Sequence, residues 1–163
     1  MSIQARQTTG TIGTDVPGGL LLHPIVLAAI ACFLINDHVL KPSHPGWMTG
    51  KLSDVAGLIF FPVLIAAVAE LVTPAARHHA GRILILAVAV TGLTYVAMLL
   101  LPAGGDGYRW FMGIAQWPFR VGAAIAAGAP LPDIAPVRFA ADPTDLITLP
   151  ALHVPLVLAI RGR

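Results

Sequence analysis

Charged residues are scarce in this chain. Asp, Glu, Lys and Arg make up only 11% of the 163 residues, whereas 56% are hydrophobic and the mean hydropathy is +0.80. A typical soluble domain carries about 25% charged residues, because its surface must be solvated. The scarcity of charge therefore excludes an ordinary soluble domain and indicates an integral membrane protein.

Cysteine and runs of basic residues are also scarce. Cys32 is the only cysteine, which excludes an intramolecular disulfide framework, and its apolar neighbours favour a packing or lipid-facing residue over a redox centre. The net charge is +2 and the isoelectric point is about 9.1, but the ten basic residues are scattered along the chain. We therefore expect no binding of nucleic acid. The partners that composition predicts are membrane lipids; it identifies no protein partner.

Long apolar runs dominate the chain instead. A hydrocarbon layer of about 30 Å is crossed by roughly 20 apolar residues in a helix. The pattern predicts four such helices, at about residues 20–40, 51–72, 83–101 and 143–163. The predicted fold class is all-α, an integral membrane helical bundle of about four transmembrane helices with one interfacial or re-entrant helix, and residues 20–163 form a single domain.

Residues 1–19 form a short polar tail rich in Thr and Gly, which we expect to be disordered. The tail lacks the basic region followed directly by an apolar core that a cleaved signal peptide requires, so the first helix should act as an uncleaved anchor. Basic residues are equally frequent on the two sides of the predicted membrane. Because the short loop with Arg77 and Arg82 is purely basic, we place that loop and both termini in the cytoplasm.

Two connecting segments interrupt the apolar runs. Residues 41–50 contain two prolines and predict a loop, after which the second helix starts near Lys51 or Ser53, with Thr49 or Ser53 as its cap. Residues 110–128 are apolar enough to suggest a further crossing, but a central arginine is costly in lipid. We expect an interfacial or re-entrant helix there.

Polar residues collect at three helix ends that should lie on the outer face. The predicted binding or polar cluster consists of Asn36, Asp37, His38, Ser53 and Asp142. The candidate catalytic residues are Asp54, Lys51 and Asp145. These eight side chains supply carboxylates, an ammonium, an imidazole and hydrogen-bonding groups in an otherwise apolar chain.

Three interpretations of this set remain open. A carboxylate at Asp37 opposes the dipole at the end of its helix, so a nearby cation or hydrogen-bond donor must compensate it, and Lys41 and His38 are the local candidates. The residues then form an interhelical polar clasp, a catalytic or ion site, or independent solvated caps. No metal-ligand spacing is diagnostic, so we assign no metal and identify no cofactor. Asp142 is a candidate cap of the last helix.

Three stretches carry a resemblance to a known group. NDHVLK from Asn36, TGKLSDVAGLIFFP from Thr49 and DPTDLITLPAL from Asp142 resemble stretches of small multi-pass bacterial membrane proteins of unassigned function. The chain is more weakly similar to the VanZ-like family, which is linked to glycopeptide resistance. There Lys51 with Asp54, and Asp142 with Asp145, take the places of that family's Asp-Lys-x-x-His and Asp-rich stretches. The chain departs from that pattern, since Asp54 replaces the His and no Asn-x-x-Gly follows Asp145.

The leading functional hypothesis is a small multi-pass protein of the bacterial inner membrane, which has an accessory or envelope-associated role carried by this cluster on its outer face. The alternative is a membrane-embedded enzyme acting on a lipid or lipid-linked headgroup, with Asp54 or Asp145 as base and Lys51 as the partner of a phosphate. A transporter subunit is a third hypothesis, which is disfavoured because the third helix carries no charge.

Overall fold

The computed structural model describes residues 16–161, and these contain helices, turns and extended segments but no strand. This confirms the all-α class. Four of its helical segments are long and apolar enough to cross a membrane, namely Pro24–Ser43, Trp47–Val72, Ala80–Leu100 and Pro143–Arg161. The predicted number of spans is therefore confirmed. Of the tail predicted to be disordered, residues 1–19, the first fifteen fall outside the described part of the chain, and Gly19 begins a 3-10 segment, Gly19–Leu22.

The first span changes its helical pitch near its end. Helix α1, Pro24–Ile35, begins with its proline in the first turn, where a missing N–H costs little. A π-helical turn, Asn36–Leu40, follows and leads into the short helix α2, Lys41–Ser43. Pro42 accounts for the change of pitch, because its ring collides with the carbonyl four residues earlier in an ordinary α-helix. The wide turn places Asn36 against the second span.

The second span, α3, occupies Trp47–Val72 and begins earlier than predicted. Most of the predicted loop 41–50 is helical, and the connection is reduced to residues 44–46. Neither Thr49 nor Ser53 is the residue that precedes the helix. Gly46 precedes the helix, so the prediction of the cap was wrong. The N–H of Gly46 donates a hydrogen bond to the Thr49 hydroxyl at 3.1 Å. This bond satisfies one of the N–H groups that the start of a helix leaves without a partner.

The remaining helices follow in chain order. They are α4, Pro74–Arg77; α5, Ala80–Leu100; α6, Pro102–Ala126; and α7, His153–Arg161, which continues a 3-10 segment, Pro143–Leu152.

Helix α6 covers most of the region predicted as an interfacial helix and is not one of the four candidate spans. Its Trp110, Phe111 and Ile114 are exposed on one face, as lipid-interface residues would be. Its depth in a membrane stays a prediction.

The chain divides into two compact units. One contains the residues up to Thr91 together with those from Thr148 onward, and the other is Gly92–Ile147. The core of the first unit draws on α1, α3, the first half of α5 and α7, and consists of Val26, Ala29, Phe60, Val63, Ala66, Leu84, Ala87 and Leu158. In the second unit, Trp117 of α6 donates its indole N–H to the carbonyl of Pro132 at 2.8 Å, which holds the extended segment after α6 against that helix.

Candidate functional site

A buried amide joins the first two spans. Asn36 is 0% exposed, and its Nδ2 donates to the main-chain carbonyl of Thr49 and to the Ser53 hydroxyl, both at 2.6 Å. Thr49 and Ser53 lie one turn apart on α3, so a single side chain spans a full turn of the neighbouring helix. A buried polar group is costly without partners, and here both amide protons are used.

The hydrogen-bond chain continues from Ser53 to Asp37 and Lys41. The Ser53 hydroxyl donates to Asp37 Oδ1 at 2.5 Å, and Lys41 Nζ lies 2.7 Å from the same oxygen. Lys41, one of the two candidates predicted to compensate Asp37, therefore supplies a cation, and Ser53 supplies a hydrogen-bond donor. His38 is exposed and makes no such contact among residues 16–161. We call Asn36, Asp37, Lys41, Thr49 and Ser53 the Asn36 cluster.

The network determines which way the Asn36 amide faces. If the amide were turned over, its oxygen would face the Thr49 carbonyl oxygen, and two acceptors cannot bond to each other. In the observed orientation, Oδ1 is buried and has no hydrogen-bond partner among residues 16–161. A donor that bonds to an unused acceptor in a buried polar network gains a large hydrogen-bond free energy.

Ser53 serves to position its neighbours. It is 5% exposed, its oxygen accepts from Asn36, and its proton goes to Asp37. Both hydrogen-bonding roles of the hydroxyl are thus used within the cluster. A serine held in this way connects two helices and is poorly placed to attack a substrate.

The candidate catalytic residues Lys51 and Asp54 lie in the first two turns of α3. Lys51 is only 8% exposed, and its ammonium lies 5.4 Å from the centre of the Trp47 ring, within the range of a cation–π contact. Asp54 is half-buried one turn further along the helix. The two spans thus bring five of the eight predicted site residues to one junction, namely Asn36, Asp37, Lys51, Ser53 and Asp54.

The other two carboxylates, Asp142 and Asp145, belong to the second unit. Asp142 accepts a hydrogen bond from the N–H of Thr144 at 2.9 Å, which confirms it as the cap of the 3-10 segment. The Tyr95 hydroxyl donates to the main-chain carbonyl of Asp145 at 3.2 Å. The convergence of Asp142 and Asp145 with the Asn36 cluster stays a prediction.

Sequence reasoning missed two participants in the site. The Thr49 carbonyl and the Trp47 ring both lie in the stretch predicted as a loop. The signal that could have located them is the position of Pro45, because a helix can begin directly after a proline-glycine pair. Among residues 16–161, no group of three or more His, Cys, Asp or Glu side chains is placed to hold a metal ion.

Together, the spans and the buried junction define a helical membrane protein with a polar cluster between its first two spans. Comparison of the chain with protein-family models, with curated proteins and with solved structures finds no match. The resemblances carried by the Asn36, Thr49 and Asp142 stretches therefore stay predictions.

Proposed function

We propose that the chain is a small multi-pass protein of the bacterial inner membrane that acts as an accessory, envelope-associated factor through the outer surface around the Asn36 cluster. The observation that carries the proposal is the hydrogen-bond chain from Asn36 through Ser53 to Asp37 and Lys41. This chain of bonds ties the end of the first span to the start of the second, and we expect it to preorganise their connection.

Large exposed side chains lie next to this connection. Trp47 is 66% exposed and Met48 is 77% exposed, and both stand in the first turn of α3 beside the Asn36 cluster. Trp and Met are enriched where proteins bind other proteins, because they offer much contact area. A preorganised connection lowers the entropy cost of ordering such a surface on binding. These features support a binding role.

A membrane-embedded enzyme is the second candidate, and the burial of Lys51 favours it. Lys51, which is only 8% exposed and lies one turn from Asp54, would attract the phosphate of a lipid-linked headgroup, with Asp54 as base. The two proposals differ in which residues must be intact, since the enzyme requires Asp54 and the accessory factor requires the exposed surface at Trp47 and Met48.

Cysteine labelling tests the orientation on which both proposals depend. In a Cys32→Ser background, a cysteine at exposed Met48 should react with a membrane-impermeant maleimide in intact cells, whereas a cysteine at exposed His78 should react only after lysis. The measurement is the labelled fraction before and after permeabilisation. Labelling of position 78 and protection of position 48 in intact cells would place the cluster in the cytoplasm and reject the outer-face assignment.

Complementation of a gene deletion separates the accessory factor from the enzyme. We expect a Trp47→Ala and Met48→Ala double variant to lose at least tenfold in rescue of the envelope defect, because the exposed contact area is removed, while Asp54→Asn retains full rescue. Rescue is measured as survival under envelope stress, with protein levels checked by immunoblot. Val72→Ala is the matched control, since Val72 is 76% exposed at the other end of α3. Loss with Asp54→Asn alone would favour the enzyme.

A further inference from the structure

A second charged surface lies beyond the far end of α3. An open cleft of about 550 Å³ is lined by Arg77, His78, His79, Ala80, Arg82 and Ile85, among others. The two arginines and two histidines in it form what we call the basic cleft. It occupies the connection between the second and third spans, so it lies at a membrane boundary if those spans cross.

Within the described residues 16–161, no acidic side chain forms an ion pair with the arginines of the basic cleft. The sequence has no Asp or Glu between Glu70 and Asp106. The Glu70 carboxylate accepts the N–H of Gly18 at 2.8 Å, whereas Arg77 donates its Nε to the main-chain carbonyl of Glu70 at 3.1 Å. Within residues 16–161, neither Arg77 nor Arg82 forms an ion pair. Their guanidinium groups can therefore bind an external anion.

The start of α5 adds donors to the same cleft. Ala80, the first residue of this 21-residue helix, lines the basic cleft. The first N–H groups of a helix have no carbonyl partner within it, and they form the positive end of the helix dipole. The cleft thus combines four basic side chains with a helix N-terminus. The side chains and the helix N-terminus each favour the binding of a phosphate group.

Apolar surface adjoins the charged groups. Ile85 lines the basic cleft and is 59% exposed, and the neighbouring Leu86 is 60% exposed on the apolar length of α5. A free phosphate ion has no apolar part that could pack on this surface. A phospholipid, in contrast, would place its headgroup among the arginines and its acyl chains along α5. Basic pockets beside transmembrane helices commonly hold anionic headgroups in this way.

From these observations we infer that the basic cleft binds the phosphate of an anionic phospholipid headgroup. The inference does not depend on the role proposed for the Asn36 cluster at the other end of α3. It predicts that lipid binding follows the charge of Arg77 and Arg82, since each arginine near an anionic headgroup contributes to its affinity.

Native mass spectrometry of the full-length chain in detergent tests this inference. Phosphatidylglycerol should bind at least tenfold more tightly than phosphatidylcholine with the same acyl chains. Arg77→Gln and Arg82→Gln should each lower the affinity about fivefold, and the double variant about 25-fold. Arg161→Gln is the matched control, because it removes an exposed arginine at the end of another span, and it should leave the affinity within twofold.

Three results would overturn the inference. They are equal binding of the two lipids, a loss with Arg161→Gln as large as that with Arg82→Gln, and binding of inorganic phosphate as tight as that of phosphatidylglycerol, which would reject the lipid assignment. Thermal unfolding of each variant provides the check on folding. If Arg77→Gln unfolds because it loses its bond to Glu70, Arg82→Gln alone decides the outcome, since the Arg82 side chain makes no hydrogen bond in the described part of the chain.

Discussion

Replacing Asn36 with alanine is expected to lower the free energy of unfolding by about 2 kcal/mol, since two buried interhelical hydrogen bonds are lost at roughly 1 kcal/mol each. The change also leaves the Thr49 carbonyl and the Ser53 hydroxyl without their donor in a buried setting. The measurement is the unfolding midpoint of the purified chain in detergent, followed by circular dichroism. An effect of this size changes the ratio of folded to unfolded protein about 30-fold.

The matched control for this variant is His38→Ala. His38 lies in the same π-helical turn but is exposed and makes no hydrogen bond within residues 16–161. We expect its midpoint to stay within the error of the wild type. An Asn36→Ala midpoint equal to that of His38→Ala would mean that the buried amide does not hold the two spans together, and the clasp interpretation would then fail.

Gly104→Ala should produce the second large loss of stability, about 3 kcal/mol, because a new Cβ would collide with the main-chain carbonyl of Ala97. Only Leu101 separates α5 from α6, and Gly104 lies in the first turn of α6, where the chain folds back closely on the end of α5. Main-chain atoms of a helix cannot move aside cheaply, so the whole start of α6 must shift. The unfolding midpoint again reports the effect.

Gly107→Ala is the control for this position. It lies one turn further along α6 and has open space around its Cα. Alanine is favoured over glycine inside a helix by roughly 1 kcal/mol, so this variant should be as stable as the wild type or more so. If Gly104→Ala and Gly107→Ala have the same midpoint, the close approach of α6 to the end of α5 is not as described.

The four spans were predictable because membrane crossing depends mainly on length and composition. Any stretch of about 20 apolar residues satisfies its own backbone hydrogen bonds as a helix, whatever lies next to it. The predicted third span, residues 83–101, therefore differs from the observed Ala80–Leu100 by at most three residues at either end. The start of the second span was placed too late, because polar residues were interpreted as a loop although helices can carry them at a membrane boundary.

The site was predictable in its residue types and only partly in its geometry. Asp37 and Lys41 are four residues apart, so their pairing follows from local spacing, and Lys41 was one of the two candidates predicted for it. The bond of Asn36 to Thr49 could not be predicted in the same way. It depends on the π-helical turn that rotates Asn36 toward α3 and on the distance between two helices, and neither is encoded by neighbouring residues alone.

The fold class of this protein follows from local sequence, whereas the contacts of Asn36 and Ser53 depend on the packing of separate helices. Composition and apolar run length by themselves determined a helical membrane protein of four spans, because the burial of backbone groups in lipid is a local requirement. Only the tertiary structure decided that Asn36 is fully buried with an unused oxygen, since that depends on contacts between separate spans. The same holds for Ser53, which was predicted as a possible cap and instead links two helices.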